Sequence, residues 1–476
     1  MNVLEILLLP TDVLFFRDGR PIEGSLAGHG AAWPLPSVTN AALHAALHRA
    51  FPVTQADIET EETKGHGDHV HRIIADGIAH DERRYCRFGS LTSAGPFPVK
   101  REGESHVWYF PRPRDLTDKT LSPCLLPAAG KDWEESTLPR PLKHAVTSLS
   151  PPSKDDRAKA WLPREKFDYY LQGSDSKQEG VNDSDIFSVE HSVGIEIDPT
   201  TQAAKEKKFY SAQYLRLQEK WCLGQLAAAR NGEAALLNKM LKSELPAIVV
   251  GGRRRVCMVA SNAIKHPTPL PIGKRVDFPQ GNGKHLVKWV LLSPAIWPRI
   301  AANGHRRRQS PAVCQKHSGG WLPNWINAKT GDVLLRVVSS EERRRRRELN
   351  NRGEGYGTDA GNVLGIGAKL VAALVPKPIV VTGWSLGEPL AGERGIRRSG
   401  AKSSHLAVPA GAVYYFEADT PSDAENLAAV LNWHGKETHP RIIKNRRSTL
   451  MGEKGFGLGV CGGWRFRSSL SERPGE

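Results

Sequence analysis

Cations recur beside glycines and hydroxyls in this chain. Arg253, Arg254 and Arg255 follow Gly251-Gly252; Arg397 and Arg398 lead into Gly400, Lys402, Ser403 and His405; Lys454 sits in the turn Gly452-Glu453-Lys454-Gly455-Phe456-Gly457. Exposed backbone N–H groups, hydroxyls and cations of this kind can converge on phosphates. Further basic runs stand at Arg306 to Arg308, Arg343 to Arg347, and Arg441, Lys444, Arg446 and Arg447. One such run alone is a solvated face; together they point to a polyanion. Trp384, Phe456 and Trp464 could stack on splayed bases, with burial in the core equally open for each. Basic, glycine-rich loops on a strand-rich scaffold suggest single-stranded RNA.

Other chemistry lacks its context. Gly383-Trp384-Ser385-Leu386-Gly387 spells a nucleophile elbow, but an elbow must lead into a helix, and Pro389, Gly392 and Gly395 follow. Gly457, Gly459 and Gly462 match a dinucleotide fingerprint too close to the end of the sequence for a βαβ unit to follow. No GxxxxGK[ST] and no HExxH occurs, so P-loop and zincin chemistry lack their defining residues. His66, His69 and His71 lie in a Gly- and acid-rich stretch that reads as solvated surface, and His44 and His48 stand one turn apart on a predicted helix. Cys314 and His317 offer half a zinc site without a second half. No metal, cofactor or catalytic residue is expected.

The 476 residues carry 66 Lys and Arg against 51 Asp and Glu, a formal charge of +15, with 39% hydrophobic and 25% charged residues. This is the composition of a globular protein of two or three domains, with no run near the ~18 apolar residues that span a bilayer. The first residues carry Glu5, lack a basic start and meet Pro10, so a cleaved signal peptide is not expected and the cytoplasm is. Six cysteines stand singly, which argues against a disulfide framework.

The elements that must position these loops are a strand over 3–9, a loop marked by Asp18-Gly19, and a helix from Ser37 after Pro36. Two strands around a Gly-containing turn follow within 87–116, then a strand, polar loop and strand within 189–218. Residues 54–70, 116–160 and 172–186 read as insertions. Strands are expected in KHLVKWVLLSPAIW, KPIVVTGWSL and AVPAGAVYYFEA, and a helix in PSDAENLAAVLNWHG, where Ser422 and Glu425 suggest a capping box and Gly435 the stop. The change from helix to strand near residue 243 suggests domains 1–242 and 243–476. The class is α+β.

DVLFFRDGRPIEG followed by WPLPSVTNAALHAAL closely resembles the N-terminal signature of the RAMP-superfamily proteins that form the third subunit of the Cmr, or type III-B, CRISPR effector. VWYFPRPRDL, HSVGIEID leading to KFYSAQYLRL, VVGGRRRV, VLLSPAIW, VTGWS, AVPAGAVYYFE and GEKGFGLGVCGGW agree in order over nearly the whole chain. The chain departs at GGRRR, where the family has an acidic residue, and in an arginine-rich insertion around 298–362. The resemblance implies two ferredoxin-like (RRM-like) RAMP domains with long loop and β-hairpin insertions. It also implies a non-catalytic subunit that holds the 5′ handle of crRNA, contacts the large palm-domain subunit and abuts the backbone RAMP subunits, meeting target RNA indirectly and no membrane. Matching motifs place RNA contacts at Arg17 and Arg20, at His191 and its hairpin, at Arg253 to Arg255, at Arg397, Arg398, Lys402, Ser403 and His405, and at Lys454, Gly455, Phe456 and Gly457. Asp18 could serve as a turn residue instead, and Trp33 reads as core. The alternatives are a RAMP endoribonuclease using His29, His44 or His48 as general acid or base, and the equivalent subunit of another type III subtype.

Overall fold

A computed structural model describes residues 3–17, 26–28, 33–52, 69–75, 78–84, 88–103, 105–116, 122–123, 138–147, 158–173, 180–242, 247–263, 268–300, 316–338, 363–385, 400–437 and 442–466. Strand β1, Leu4–Pro10, is apolar on both faces apart from Glu5, which accepts from Trp108 Nε1, and lies inside a sheet. The elements after it are helix α1 (Pro36–Ala50), strands β2 (Thr92–Glu102), β3 (Ser105–Pro111) and β4 (Trp161–Pro163), helix α2 (Arg164–Gln172), strands β5 (Phe187–Ile197), β6 (Ala204–Leu217) and β7 (Trp221–Ala228), helix α3 (Asn231–Leu241), and strands β8 (Ala247–Val249) and β9 (Val256–Ala263). The sheet runs β8-β9-β1-β7-β2-β3-β4 with antiparallel neighbours. Ile6 and Leu8 of β1 meet Leu43 and Leu47 of α1 and Leu237 and Leu241 of α3 on one face. Each such buried leucine contributes roughly 1.5–3 kcal/mol. Helix α1 begins one residue earlier than expected, with Pro36 in its first turn, where the missing N–H breaks no helix bond.

The second sheet is built from β10 (Lys284–Leu291), β11 (Ala368–Leu374), β12 (Val413–Ala418), helix α4 (Pro421–Leu431) and β13 (Gly459–Gly463), all neighbours antiparallel. β10 lies between β13 and β12, and β11 is beyond β12. Trp289, Trp325, Tyr414 and Phe416 pack with Leu427 and Leu431 of α4 on one face. On the other face, Leu286, Val290 and Tyr415 meet Phe97, Trp108 and Phe167 of the first half in a single core.

The boundary expected near residue 243 falls inside the first sheet. β8 and β9 follow that point and pair, through β9, with β1, Cys257 standing opposite Pro10. β5 and β6 form a long hairpin with Leu26–Gly28 parallel to β6, in agreement with the expected strand, loop and strand. The expected insertion at 172–186 contains a four-residue helix, Asp183–Ile186. No helix among the described residues is long and apolar enough to cross a membrane.

Candidate nucleic-acid interface

Three of the expected RNA-contacting segments meet at the end of the first sheet where β1 finishes. Gly251 and Gly252 lie against Phe15: the Gly252 N–H donates to the Phe15 carbonyl at 2.9 Å, and a Cβ on Gly251 would stand 2.5 Å from that oxygen. Gly251, Arg253 and Arg254 all have left-handed backbone (φ 75, 56 and 53°). This contact brings the arginines onto the aromatic pair Phe15 and Tyr214, whose ring centroids are 5.5 Å apart. The Arg253 guanidinium lies 5.6 Å from the Phe15 ring and that of Arg255 lies 5.0 Å from the Tyr214 ring. Arg253, Arg254 and Arg17 are exposed.

Two of the cations here are already paired. Asp12 receives Arg216 at 3.0 Å and Arg255 at 3.1 Å, and Arg216 also binds Glu190. The Val13 backbone N–H and the guanidiniums of Arg216 and Arg255 hold the Asp12 carboxyl below its ordinary range. His191 is exposed on β5 opposite Gln213, one step out of phase with Glu190 opposite Tyr214. It therefore occupies the other face of the hairpin, with exposed Val189, Val193 and Ile195.

The same end of the sheet holds cations that the motif search passed over. A concavity of about 480 Å³ is lined by Lys100, Arg101, Glu102, Gly103 and Lys220. Register explains its place: Pro10 is opposite Cys257, Leu8 opposite Leu223, and Trp221 opposite Lys100, so β9, β1, β7 and β2 end side by side. Lys100 is paired with Glu102 at 3.2 Å. The signal in the sequence was a basic pair, Lys100-Arg101, leading into the Gly103 turn.

A second group lies around the terminal glycine turn. Ala407, whose strand His405–Ala407 pairs with Ile379–Val381, packs with Val381, Ile296 and Phe456, and Leu35 and Met451 border that cluster. This joins Lys402, Ser403 and His405, of which the first two are exposed, to the turn that carries Lys454. Burial pushes the His405 pKa below its ordinary value. Phe456 is a correction: its ring is wholly buried in that cluster and cannot stack on a base. Trp464 is likewise buried, against Tyr415 and Phe466. The space that a phosphate would need beside Gly455 and Gly457 is filled by the chain, since added Cβ atoms would lie 2.8 Å from the Ser93 carbonyl and 2.0 Å from the Ser448 nitrogen. These glycines permit packing of the turn on β2 and on residue 448.

Arg20, Arg397 and Arg398 lie outside the described residues, as do Asp18, His29, His66 and Cys314. Trp33 is half-buried, donating from Nε1 to the Pro96 carbonyl and touching Trp161 and Phe187, as a core residue should. His44 is largely buried on α1; burial first, then His48 and Lys454, bring its pKa down to about 4. Trp384–Ser385 pairs with Gly400–Ala401, so the serine enters a β-ladder. Among the described residues no three His, Cys, Asp or Glu side chains gather as a metal site.

Two packed antiparallel sheets with arginine-bearing loops at the end of one of them define an α+β protein. A family model described as CRISPR-associated protein (Cas_Cmr3) matches residues 6–464. The chain belongs to this family and is a subunit of a type III CRISPR effector. Among solved structures, it is similar to a chain of the Type III-B Cmr-beta complex bound to cognate target RNA, with 13% identity, 86% of each chain covered and a TM-score of 0.36. It is also similar to a chain of a Csm1-Csm4 cassette in complex with cA4, with 14% identity, 63% of this chain and 82% of that one covered, and a TM-score of 0.26. No curated protein matches it.

Proposed function

We propose that this chain is a non-catalytic, cytoplasmic subunit that grips the 5′ handle of crRNA, caps the backbone of RAMP subunits and docks the large palm-domain subunit. Family membership supports the setting. The observation that carries the RNA reading is the convergence of residues 12–17, the Gly251–Arg255 turn and the β5–β6 hairpin at one end of a sheet. Phosphates would meet Arg17, Arg253 and Arg254, while the rings of Phe15 and Tyr214 hold the Arg253 guanidinium in place. Strand order supports two ferredoxin-like units: in β1-α1-β2-β7-α3-β9 the sheet order is fourth, first, third, second, and β10-β11-β12-α4-β13 repeats that order.

The test is to purify the tagged protein from its native cells and sequence the 5′ ends of the RNA that accompanies it. Uniform ends with one repeat-derived handle, together with co-purifying RAMP subunits, are expected. Heterogeneous ends without a common handle would overturn the reading. Cleavage of repeat RNA by the pure protein, abolished by His44→Ala, would instead establish the endoribonuclease alternative.

A further inference from the structure

One face of the β5–β6 hairpin carries an apolar stripe. Val189, Val193, Ile195 and Ile197 of β5 are 47, 62, 51 and 58% exposed, and His191 stands among them. Branched aliphatic side chains at alternate positions are the pattern of a strand that packs against something. A row of them in solvent marks a contact surface.

The backbone of the same residues faces outward. Leu14 and Leu215 exchange both backbone hydrogen bonds, each 2.8 Å long, so the N–H and C=O of Leu215 point away from β5. Val189, opposite Leu215, therefore belongs to a pair that shares no hydrogen bond. By alternation Ser188, Glu190 and Ser192 bond to β6, while Val189, His191 and Val193 turn N–H and C=O to the far side. That side is a sheet edge: the ladder runs β5, β6, Leu26–Gly28, and no described residue pairs with β5 beyond it. Up to the bulge at Ile195–Ile197 this edge has neither the proline nor the lysine that commonly guards one.

Charge selects the occupant. Over residues 187–198 the chain carries Glu190, Glu196 and Asp198 and no lysine or arginine, although the whole chain is at +15. The hairpin's cations, Lys205, Lys207, Lys208 and Arg216, all stand on β6, one strand inside the edge. RNA laid along this edge would meet carboxylates, and a second copy would set acid against acid. We propose that the β5 edge is a docking site for an extended strand of another protein subunit of the effector. That strand adds to the ladder at Val189, His191 and Val193, continues the apolar stripe with its own alternate aliphatic side chains, and offers lysine or arginine to the acidic face. The inference rests on the assembly reading above and names the surface that makes one of its contacts.

The tagged full chain is purified from its native cells, alone and within the effector, and amide hydrogen exchange is followed residue by residue. The Val189, His191 and Val193 amides should exchange fast in the free chain and slowly in the effector, with Glu190 and Ser192 slow in both. Slow exchange of the first three in the free chain would mean that the chain covers its own edge, and fast exchange in both states that nothing adds there; either overturns the proposal. Val193→Pro removes one outward N–H and no bond to β6, so it should cut recovery of one co-purifying effector subunit about tenfold while the Glu190 amide stays slow. Ile195→Lys should do the same, and Val193→Thr, which keeps the N–H and the branched shape, should not. Full subunit recovery with both disruptive variants, a fall in RNA affinity alone, or a dimer of the free chain that Val193→Pro dissociates would each overturn the site while the assembly reading stands. If the unaltered chain brings down no effector subunit, the assembly reading fails and the docking edge with it.

Discussion

The Lys288 ammonium lies 3.2 Å from the Asp115 carboxylate and 3.7 Å from the centre of the Tyr170 ring, with both charged side chains almost wholly buried. Tyr170 donates to the other Asp115 oxygen at 2.6 Å, and Tyr415 donates at 3.0 Å to the oxygen that Lys288 binds. Asp115 and Tyr170 come from the first half of the chain and Lys288 and Tyr415 from the second sheet. A polar network this well satisfied fixes how the two halves sit against each other.

Lys288→Met leaves a buried carboxylate held by two hydroxyls. Removal of one partner of a buried pair costs about 3–5 kcal/mol. Urea unfolding should show that loss, and a double-mutant cycle with Asp115→Asn should show strong coupling. An unfolding free energy within about 0.5 kcal/mol of wild type would mean that apolar packing alone joins the halves.

Acid should unfold the protein through two histidines. Burial brings His44 and His434 down to about 4 from an ordinary 6.5, and His434 Nε2 accepts from the Gly273 N–H at 3.0 Å, so its ring is neutral there. The unfolded chain takes up protons as pH falls through 6.5, before the folded chain does. Stability present above 6.5 is therefore lost progressively down to about 4, by about 3 kcal/mol for each group. Thermal midpoints measured from pH 7 to pH 4 should fall, and His44→Gln should flatten that slope.

Asp12 restrains two arginines at the end of the sheet proposed to meet RNA. Asp12→Asn releases Arg255 and leaves Arg216 on Glu190 alone, and both the affinity for single-stranded RNA and its salt dependence should rise. Arg254→Ala should weaken all RNA sequences alike. Filter binding over a salt series measures both, and unchanged slopes in both variants would remove this face from the RNA path.

Gly457→Ala tests the terminal turn. Its φ is +74°, and a Cβ would lie 2.0 Å from the Ser448 nitrogen, so the substitution must displace backbone. A loss of about 2–4 kcal/mol is expected with no RNA present. An unchanged midpoint with lost RNA binding would return the glycines to a phosphate-contacting role.

Local patterns were readable where chemistry is local. The β2–β3 hairpin, the β5–β6 hairpin and both main helices follow from alternation, helical period and turn glycines. The capping of α4 shows the limit of spacing. Thr420 and Ser422 both head a box with an acid three residues on, and the actual cap is Thr420, which accepts the Asp423 N–H at 3.1 Å, because Pro421 fits the first helical position. Burial of Phe456 and Trp464 could not be read, since exposure depends on what the rest of the chain places against a ring. Nor could the meeting of Phe15 with Gly252, which are distant in sequence and joined only by strand order.

The shared core of Phe97, Trp108 and Phe167 with Tyr415, Trp433 and Trp464 has a practical meaning. Dissection into fragments will not yield two working modules. A piece ending at residue 242 lacks β8 and β9, leaves one edge of β1 without its hydrogen-bond partner, and uncovers a wall of aromatic rings that would drive it to aggregate. The Gly251–Arg255 end of the sheet and the terminal turn are best altered one side chain at a time in the intact chain.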